Sequence, residues 1–477
     1  MNTGDIPEHV HLVGAAGIHM SAIGQILLTR GHHVTGSDLV ASEHTHRLEA
    51  LGATVYRGHA ATNLGKAELV VTTTAVEPDN PELAAAQAHS IPVATRPEMV
   101  QRLIVDRDVY AVAGTHGKTT TSSLLALATV QAGLDPLFLL GGDVRDLADA
   151  NARDGSGRVA VVEADEYKGA FLHYEPHLAV VTNIETDHLD YFGSEDAIRD
   201  AFLAFGRRVR DGGTVLVCAE SPTAADFADQ LQAEGARVER YGFEGAPANG
   251  SDLDWRAVDV TVNGHGGFDF SVRSGGEELG RVSLLVPGRH NVLNATAALA
   301  AAVHAGTGFD AAAKAAGDFH GARRRFEVIA EVHAPGGAIT VVDDYAHHPS
   351  ELRATLAAAQ QRFPERRLVG CFQPHTYTRT QYLMDDFRTC FEALDVLYLV
   401  PTFAARETPG RGADAAALVE AVERPRPVHL DSLDEAVECI AGELRAGDVF
   451  FTLGAGDVTS VAPRVARLLA SRRNDRA

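Results

Sequence analysis

Between Gly114 and Thr121 the chain reads GTHGKTTT, a set of residue types suited to holding a phosphate. Glycines at 114 and 117 let backbone N–H groups approach phosphate oxygens, Lys118 adds a full positive charge, and a following helix directs its positive end to the same point. Thr115, His116 and Thr120 complete the loop, and Thr119 offers a hydroxyl to a Mg2+ ion. Only two residues separate Gly114 from Gly117, against four in the common P-loop, and a generic nucleotide-binding loop stays open as a reading.

Other stretches carry groups that could share in the same chemistry. EADEYKGAF sets Glu163, Asp165 and Glu166 at the end of an apolar run, and TNIETDHLDYFG does the same with Asp187, His188 and Asp190. Mg2+ prefers an octahedral shell of oxygens, which makes Glu163 a conventional ligand and His188 an unusual one. Arg323, Arg324 and Arg325 read either as a solvated run or as a clamp for charge developing on a phosphate. Asn291 and Asn294 share one helix face, while Asp344, His347, His375 and Arg379 fall where apolar runs end, the edge at which α/β sheets bind ligands. The first loop, GAAGIH from Gly14 to His19, stands where a dinucleotide fingerprint would, but Ala16 and His19 replace its second and third glycines. That disfavours a nicotinamide cofactor and leaves a helix N-terminus for another diphosphate.

These groups need a scaffold of alternating strands and helices. VHLVG, a helix from Met20 to Thr29 and HHVTGSD form one strand–helix–strand start; VYAVAG and TSSLLALATVQAG form another after a linker near residues 100–107. VAVVEAD, LAVVTNI and TVLVCAE extend a mostly parallel central sheet. Alternation at Val258, Val260 and Val262 and again at Phe268, Phe270 and Val272 adds antiparallel hairpins. ITVVDDY, LVGCFQ, VLYLVPTF and VFFTLGAGD, each followed by a helical stretch, predict a further Rossmann-like unit, and SRRNDRA reads as a frayed tail. The fold expected is α/β in three domains: residues 1–105 Rossmann-like, 106–322 of P-loop ATPase type with added antiparallel strands, and 323–477 Rossmann-like.

Composition narrows the partners. A net charge of −22 over 477 residues repels nucleic-acid phosphates and anionic lipid, so a phosphorylated ligand must be held by local cations and backbone amides. Four widely spaced cysteines without a C-x-x-C pair argue against a zinc site or a disulfide scaffold and fit a reducing cytoplasm. No uncharged apolar run nears the roughly 20 residues that span a bilayer, so no membrane insertion is expected.

In the order GTHGKTTT, EADE, TNIETDHLDYFG, GRHNVLNA, FHGARRRFE, DDYAHHPSE and FQPHTYTRT, from His11 to about Asp457, the sequence resembles the Mur ligase family, and its alanine-adding branch in particular. The resemblance implies an N-terminal UDP-binding domain, a central ATPase domain and a C-terminal domain that closes over the site. It implies that Lys118 and Thr119 hold the β- and γ-phosphates of ATP and Mg2+, with Glu163 and His188 as further metal contacts. Asn291 and Asn294 would lie near the adenine, Arg325 near the γ-phosphate and Asp344 at the ribose. His347, His375 and Arg379 would face the amino acid and the muramoyl carboxylate. Gly14, Gly17, Met20 and Ser21 of the first loop, with Ser37 and Asp38, would take the UDP moiety. The family's first loop usually reads G-I-G-G-x-G-M-S, where this chain has GAAGIHMS, and many relatives carry an arginine where it has Thr376.

The activity implied is ATP-dependent joining of L-alanine to the lactyl carboxylate of UDP-N-acetylmuramate through an acyl phosphate, in a cytoplasmic monomer or homodimer, with Lys118, His188 and Arg325 as the catalytic groups. The rival readings are a murein-peptide recycling ligase of the same family, a P-loop ATPase whose hydrolysis switches a partner, and a nicotinamide-binding regulatory protein.

Overall fold

Apolar β-branched runs that end at glycine or aspartate set the strands, and helices with capped starts cross between them. The computed structural model describes residues 6–245, 252–334, 336–405 and 407–474. Its first sheet is wholly parallel: β1 (His9–Val13), β2 (His33–Asp38), β3 (Thr54–Arg57), β4 (Leu69–Thr72) and β5 (Val93–Thr95), in the order β3-β2-β1-β4-β5. The order reverses at β1, so the loop after β1 opens on the crevice where such sheets bind ligands.

The second sheet has ten strands: β6 (Asp108–Ala113), β7 (Leu137–Val144), β8 (Ala150–Asp154), β9 (Val159–Glu163), β10 (Leu178–Val181), β11 (Thr214–Cys218), β12 (Val238–Phe243), β13 (Trp255–Val262), β14 (Phe268–Ser274) and β15 (Glu277–Ser283). Their order is β15-β14-β13-β12-β11-β10-β6-β9-β7-β8, parallel from β13 to β7 and antiparallel at both margins. The expected hairpins are the β13–β15 margin; the β7–β8 pair is an addition. Helices Lys118–Gln131 and Arg289–His304 pack together on one face. The second is alanine-rich, and its buried Ala295, Ala298 and Ala302 let the two backbones approach closely.

The third sheet runs β16 (Glu327–Ala334), β17 (Gly337–Asp344), β18 (Leu368–Phe372), β19 (Val396–Leu399), β20 (Val428–His429) and β21 (Val449–Leu453), in the order β16-β17-β21-β18-β19-β20, with only β16 antiparallel. Phe372, Phe387, Phe391 and Phe451 fill one side of it and are fully buried.

Three expectations about elements change. The stretch expected to be a linker at 100–107 is mostly helix: Arg96–Ile104 starts with a capping box in which the Thr95 N–H donates to Glu98 Oε2 at 2.7 Å, and Pro97 suits a first turn. The first helix spans Ile18–Thr29, two residues longer than expected, because Gly17 is its N-cap. The tail expected to fray is helical through Val461–Asn474, and its last three residues lie outside the described part. Among the described residues no helix is long and apolar enough to cross a membrane.

The first helix is bolted to the central lobe. Asn151 Nδ2 donates to the Ile18 carbonyl at 2.9 Å, Gln25 Nε2 to Asn151 Oδ1 at 3.1 Å, and Arg30 makes two 2.9 Å bonds to Asp154. Arg47 adds a 2.7 Å bond to Asp143. The helix behind the first loop is thereby fixed against the β7–β8 edge.

Candidate active site

Strand β6 delivers the phosphate loop. Gly114 has φ +133°, and a Cβ there would meet the Thr182 hydroxyl at 2.0 Å; Gly117 has φ +82°, and a Cβ would meet Asn294 Oδ1 at 2.6 Å. Only glycine allows this path so close to the end of β10 and the helix Arg289–His304. Asn183 braces the turn, its Oδ1 accepting the His116 N–H at 2.8 Å and its Nδ2 donating to the His116 carbonyl at 3.0 Å.

Lys118 projects into a cleft of about 1010 Å3 bounded by all three lobes. Its ammonium donates to both oxygens of the buried Glu166, at 2.8 and 3.1 Å, and to the Thr115 carbonyl at 3.1 Å. Burial alone would lower the lysine's pKa, but Glu166, Asp165 and Glu163 raise it, so Lys118 stays charged. Thr119 donates to Glu163 Oε1 at 3.1 Å, and the Gly141 N–H donates to Glu163 Oε2 at 3.0 Å. A Cβ at Gly141 would lie 2.4 Å from that carboxylate, so glycine there makes room for it. Hydroxyl and carboxylate oxygens side by side next to a phosphate loop suit Mg2+. His188, in the left-handed region at φ +53°, caps the helix Leu189–Phe192 and lines the same cleft.

Arg325 reaches the cleft from the start of the third lobe, its guanidinium over the Tyr345 ring and 3.5 Å from Glu351. Its neighbours are structural: Arg324 bonds the Gly454 carbonyl at 2.7 Å and Asp343 at 3.3 Å, and Arg323 bonds Asp149 at 3.0 Å. The GAGD turn thus serves as an anchor for Arg324.

Beside the loop lies a second cavity of about 200 Å3, walled by Gly117, Thr120, Asn291, Asn294, Arg325 and Asp344. Asn294 donates to Asn291 Oδ1 at 3.0 Å, and Asn291 donates to the Pro287 carbonyl at 2.6 Å. Asp344 accepts the backbone N–H groups of Phe326 and Ala346, each at 2.7 Å, yet burial pushes its pKa up to about 6.

His347, His375 and Arg379 meet at the ends of β17 and β18, and the two imidazoles are 5.5 Å apart edge to face. Burial lowers His347 to about 4 and His375 to about 2, so both rings are neutral at pH 7. Arg379 is held by Asp187 from the central lobe, Nε to Oδ1 at 2.9 Å. Burial alone would raise the Asp187 pKa, but the guanidinium holds it well below the usual carboxylate range.

The first loop lines a third cavity, about 700 Å3, with Gly14, Gly17, Met20 and Asp38 on its wall. Asp38 Oδ2 accepts the Ala16 N–H at 2.9 Å. Ser21 and Ser37 do not reach that wall. Both are fully buried; the Ser37 hydroxyl donates to Glu82 at 2.6 Å, and the Ser21 hydroxyl accepts from Gln25 at 3.2 Å. His19, in a glycine's place, is half-buried against the same cavity, and loss of solvent around its ring, with Arg96 nearby, lowers its pKa to about 3.

Two residues that matter here carried no signal strong enough to single them out. Glu351 faces His116 Nδ1 at 3.2 Å, lies 3.3 Å from His347 Nδ1 and accepts the His347 N–H at 3.1 Å. Glu185 faces His116 Nε2 at 3.4 Å and accepts from Ser350 at 2.6 Å. The H-P-S-E pattern of a capping box marks Glu351 as a helix-start residue, which it also is.

Comparison with known proteins agrees with this geometry. Residues 9–107 match the model described as Mur ligase family, catalytic domain; residues 112–302 match Mur ligase middle domain; residues 324–456 match Mur ligase, glutamate ligase domain. The chain is 43% identical over 466 residues to a UDP-N-acetylmuramate–L-alanine ligase of Anaeromyxobacter sp., covering 97% of this chain and 98% of that one. It is also 43% identical over 470 residues to the ligase of the same name from Salinibacter ruber, covering 97% and 95%. Among solved structures, the UDP-N-acetylmuramate-alanine ligase of Thermotoga maritima superposes with a TM-score of 0.80 at 27% identity, covering 98% of this chain and all of the other. A murein peptide ligase from Psychrobacter arcticus gives 0.74 at 25% identity, covering 97% and 99%.

Proposed function

Because the chain belongs to the Mur ligase family, we propose that it joins L-alanine to the lactyl carboxylate of UDP-N-acetylmuramate with conversion of ATP to ADP and phosphate, a step of peptidoglycan precursor synthesis. One observation carries the reading. Lys118, Glu163 and Arg325 line a single cleft with His347, His375 and Arg379 of the third lobe and His19 of the first, so phosphate, acid and amine can meet there.

A carboxylate is a poor acyl donor, and transfer of the γ-phosphoryl group turns it into an acyl phosphate that an amine can attack. Such a transfer asks for positioning and charge neutralisation rather than a protein nucleophile. Lys118 and the amides of Thr115 to Thr119 grip the terminal phosphates, and Arg325 balances charge on the moving phosphoryl group. Thr119, Glu163 and His188 are the residues that would hold Mg2+, which supplies further neutralisation when bound. Asn291 and Asn294 flank the adenine side and Asp344 the ribose, within the 200 Å3 cavity. The UDP moiety takes the 700 Å3 cavity through Gly14, Gly17, Met20 and Asp38, with Ser21 and Ser37 supporting from behind. Residues 1–105, 106–322 and 323–477 are the corresponding functional domains, and the enzyme works in the cytoplasm as a monomer or homodimer.

Coupled ADP release tests the reading. ADP should appear only with UDP-N-acetylmuramate and alanine both present. Turnover with a preformed tripeptide in place of alanine would favour the recycling activity, and ADP release with no sugar nucleotide would favour a switch ATPase.

A further inference from the structure

At the end of β1 away from the first loop, a cluster of histidine and glutamate side chains has no part in the phosphate chemistry. His9 of β1 and His33 of β2 are register partners on neighbouring parallel strands, and their rings stack with centroids 4.9 Å apart. Each imidazole faces a carboxylate: His33 Nε2 lies 3.5 Å from Glu8 Oε1, and His9 Nδ1 lies 3.5 Å from Glu68 Oε2. One donor atom from each of Glu8, His9 and His33 falls within 4.8 Å of the other two. Among the described residues, histidines alone form ion pairs with Glu8 and Glu68, so no lysine or arginine neutralises the patch.

The backbone holds these donors together before any ligand arrives. The His33 N–H donates to the Glu8 carbonyl at 2.8 Å, and the Glu68 N–H donates to the His9 carbonyl at 2.9 Å. Glu68 Oε2 accepts the His9 N–H at 3.0 Å, and His32 Nδ1 lies 2.9 Å from the Pro7 carbonyl. The stretch ahead of β1 is therefore clipped to the starts of β2 and β4.

We infer that Glu8, His9 and His33 bind one divalent transition-metal ion of the zinc class, with Glu68 beside them to orient the His9 ring. Two imidazoles and a carboxylate form a ligand set that suits Zn2+, whereas Mg2+ takes an all-oxygen shell. With bonds of about 2.0–2.1 Å, neighbouring ligands of a tetrahedral zinc stand about 3.4 Å apart, close to the 3.5 Å between His33 Nε2 and Glu8 Oε1. The wider separations close by small turns of exposed side chains, since Glu8 is 69% and His33 67% exposed. That exposure leaves the fourth position to water. A carboxylate against the remaining nitrogen of a ligating histidine fixes the ring and its tautomer, which is the task of Glu68. The set contains no cysteine, so the wide spacing of the four cysteines has no bearing on it. None of the four residues lines a cavity described above, so the ion is a cross-link between β1 and β2 rather than a participant in the reaction.

The test titrates Zn2+ into the full-length chain, stripped with a chelator and dialysed into excess Mg2+ so that oxygen ligands of the phosphate cleft are already served. The wild type should bind one more Zn2+ per chain than His33→Ala, in which this site is weakened at least 30-fold; Glu8→Gln should weaken it about tenfold. With Co2+ as the probe, the visible absorption of a four-coordinate ion should appear in the wild type and vanish in His33→Ala. ADP release with Mg2+ should stay within twofold across the three chains. A His33→Ala chain that takes up as much zinc as the wild type, and as tightly, overturns the inference, and so does displacement of the ion by the excess Mg2+. Far-UV spectra check that both variants are folded, and if His33→Ala is not, Glu8→Gln decides alone. The metal measurements stand apart from the ligase reading, which ADP release tests separately.

Discussion

At the scale of single residues the site depends on charges that are buried before any substrate arrives. Lys118 is the clearest case: its ammonium sits between Glu166 and the loop carbonyls it shares a turn with. Lys118→Ala removes the phosphate's cation and leaves Glu166 buried and unpaired; breaking one half of a buried pair costs about 3–5 kcal/mol. ADP release with all substrates should fall by about three orders of magnitude or more, checked on protein whose far-UV spectrum matches the wild type. Near-normal turnover in a folded variant would refute the role of the lysine. Lys118 was legible in the sequence because a phosphate loop is local, with every group within eight residues. Its partner Glu166 lies 48 residues on, and Asp187 and Arg379 are 192 apart. Such pairings depend on which strand ends become neighbours, and residue types along the chain do not encode that adjacency.

At the scale of elements, the sheets were legible as apolar runs bounded by turn residues. The hairpin of β7 and β8 was not, because LFLLGGDV and ANARD lack alternation and the pairing register shifts between Leu139 and Val144. Nor was the helix Arg96–Ile104, whose proline reads as a break unless the Thr95–Glu98 box is weighed with it. The first lobe hides another such device. Glu82, fully buried on the helix Pro81–Ala88, accepts from the Ser37 hydroxyl at 2.6 Å and from Asn63 at 2.7 Å, with His59 at 3.1 Å and His11 at 3.6 Å. Three separate stretches behind the first loop converge on this carboxylate. Burial alone would raise its pKa, but His11, Ser37 and Asn63 together lower it to about 2. A depressed carboxylate stabilises the fold above its unfolded value near 4.5, and the contribution is lost as the pH falls towards 2. Glu82→Gln should therefore lower stability at pH 7 by about 2–3 kcal/mol. In urea unfolding the gap from the wild type should narrow steadily between pH 4.5 and pH 2.5; a gap of constant size would show that the charge is not what matters.

At the scale of the whole molecule, the third lobe is drawn onto the central one by groups that flank the phosphate loop. His116, from the loop itself, stands between Glu185 of the central lobe and Glu351 of the third, while Ser350 bonds Glu185 and His348 reaches the Thr186 carbonyl at 3.3 Å. Burial alone would make His116 a weaker base, but Glu351 and then Glu185 outweigh it and raise its pKa to about 9. A positive ring between two carboxylates on different lobes acts as a clasp, and its charge depends on pH. Raised above the ordinary imidazole value of 6.5, the group contributes fully below that pH, and the contribution fades as the pH climbs through about 9. The stabilisation at stake is on the order of 3 kcal/mol, enough to move a two-state lobe equilibrium by about a hundredfold. Small-angle scattering of the nucleotide-free protein should show the radius of gyration rising between pH 7 and pH 10 while far-UV dichroism stays constant. His116→Asn, which keeps a polar side chain but cannot carry the charge, should give an expanded radius that no longer responds to pH. If the wild type holds one radius across that range, the lobes are held together by the Arg379–Asp187 pair rather than by the His116 clasp.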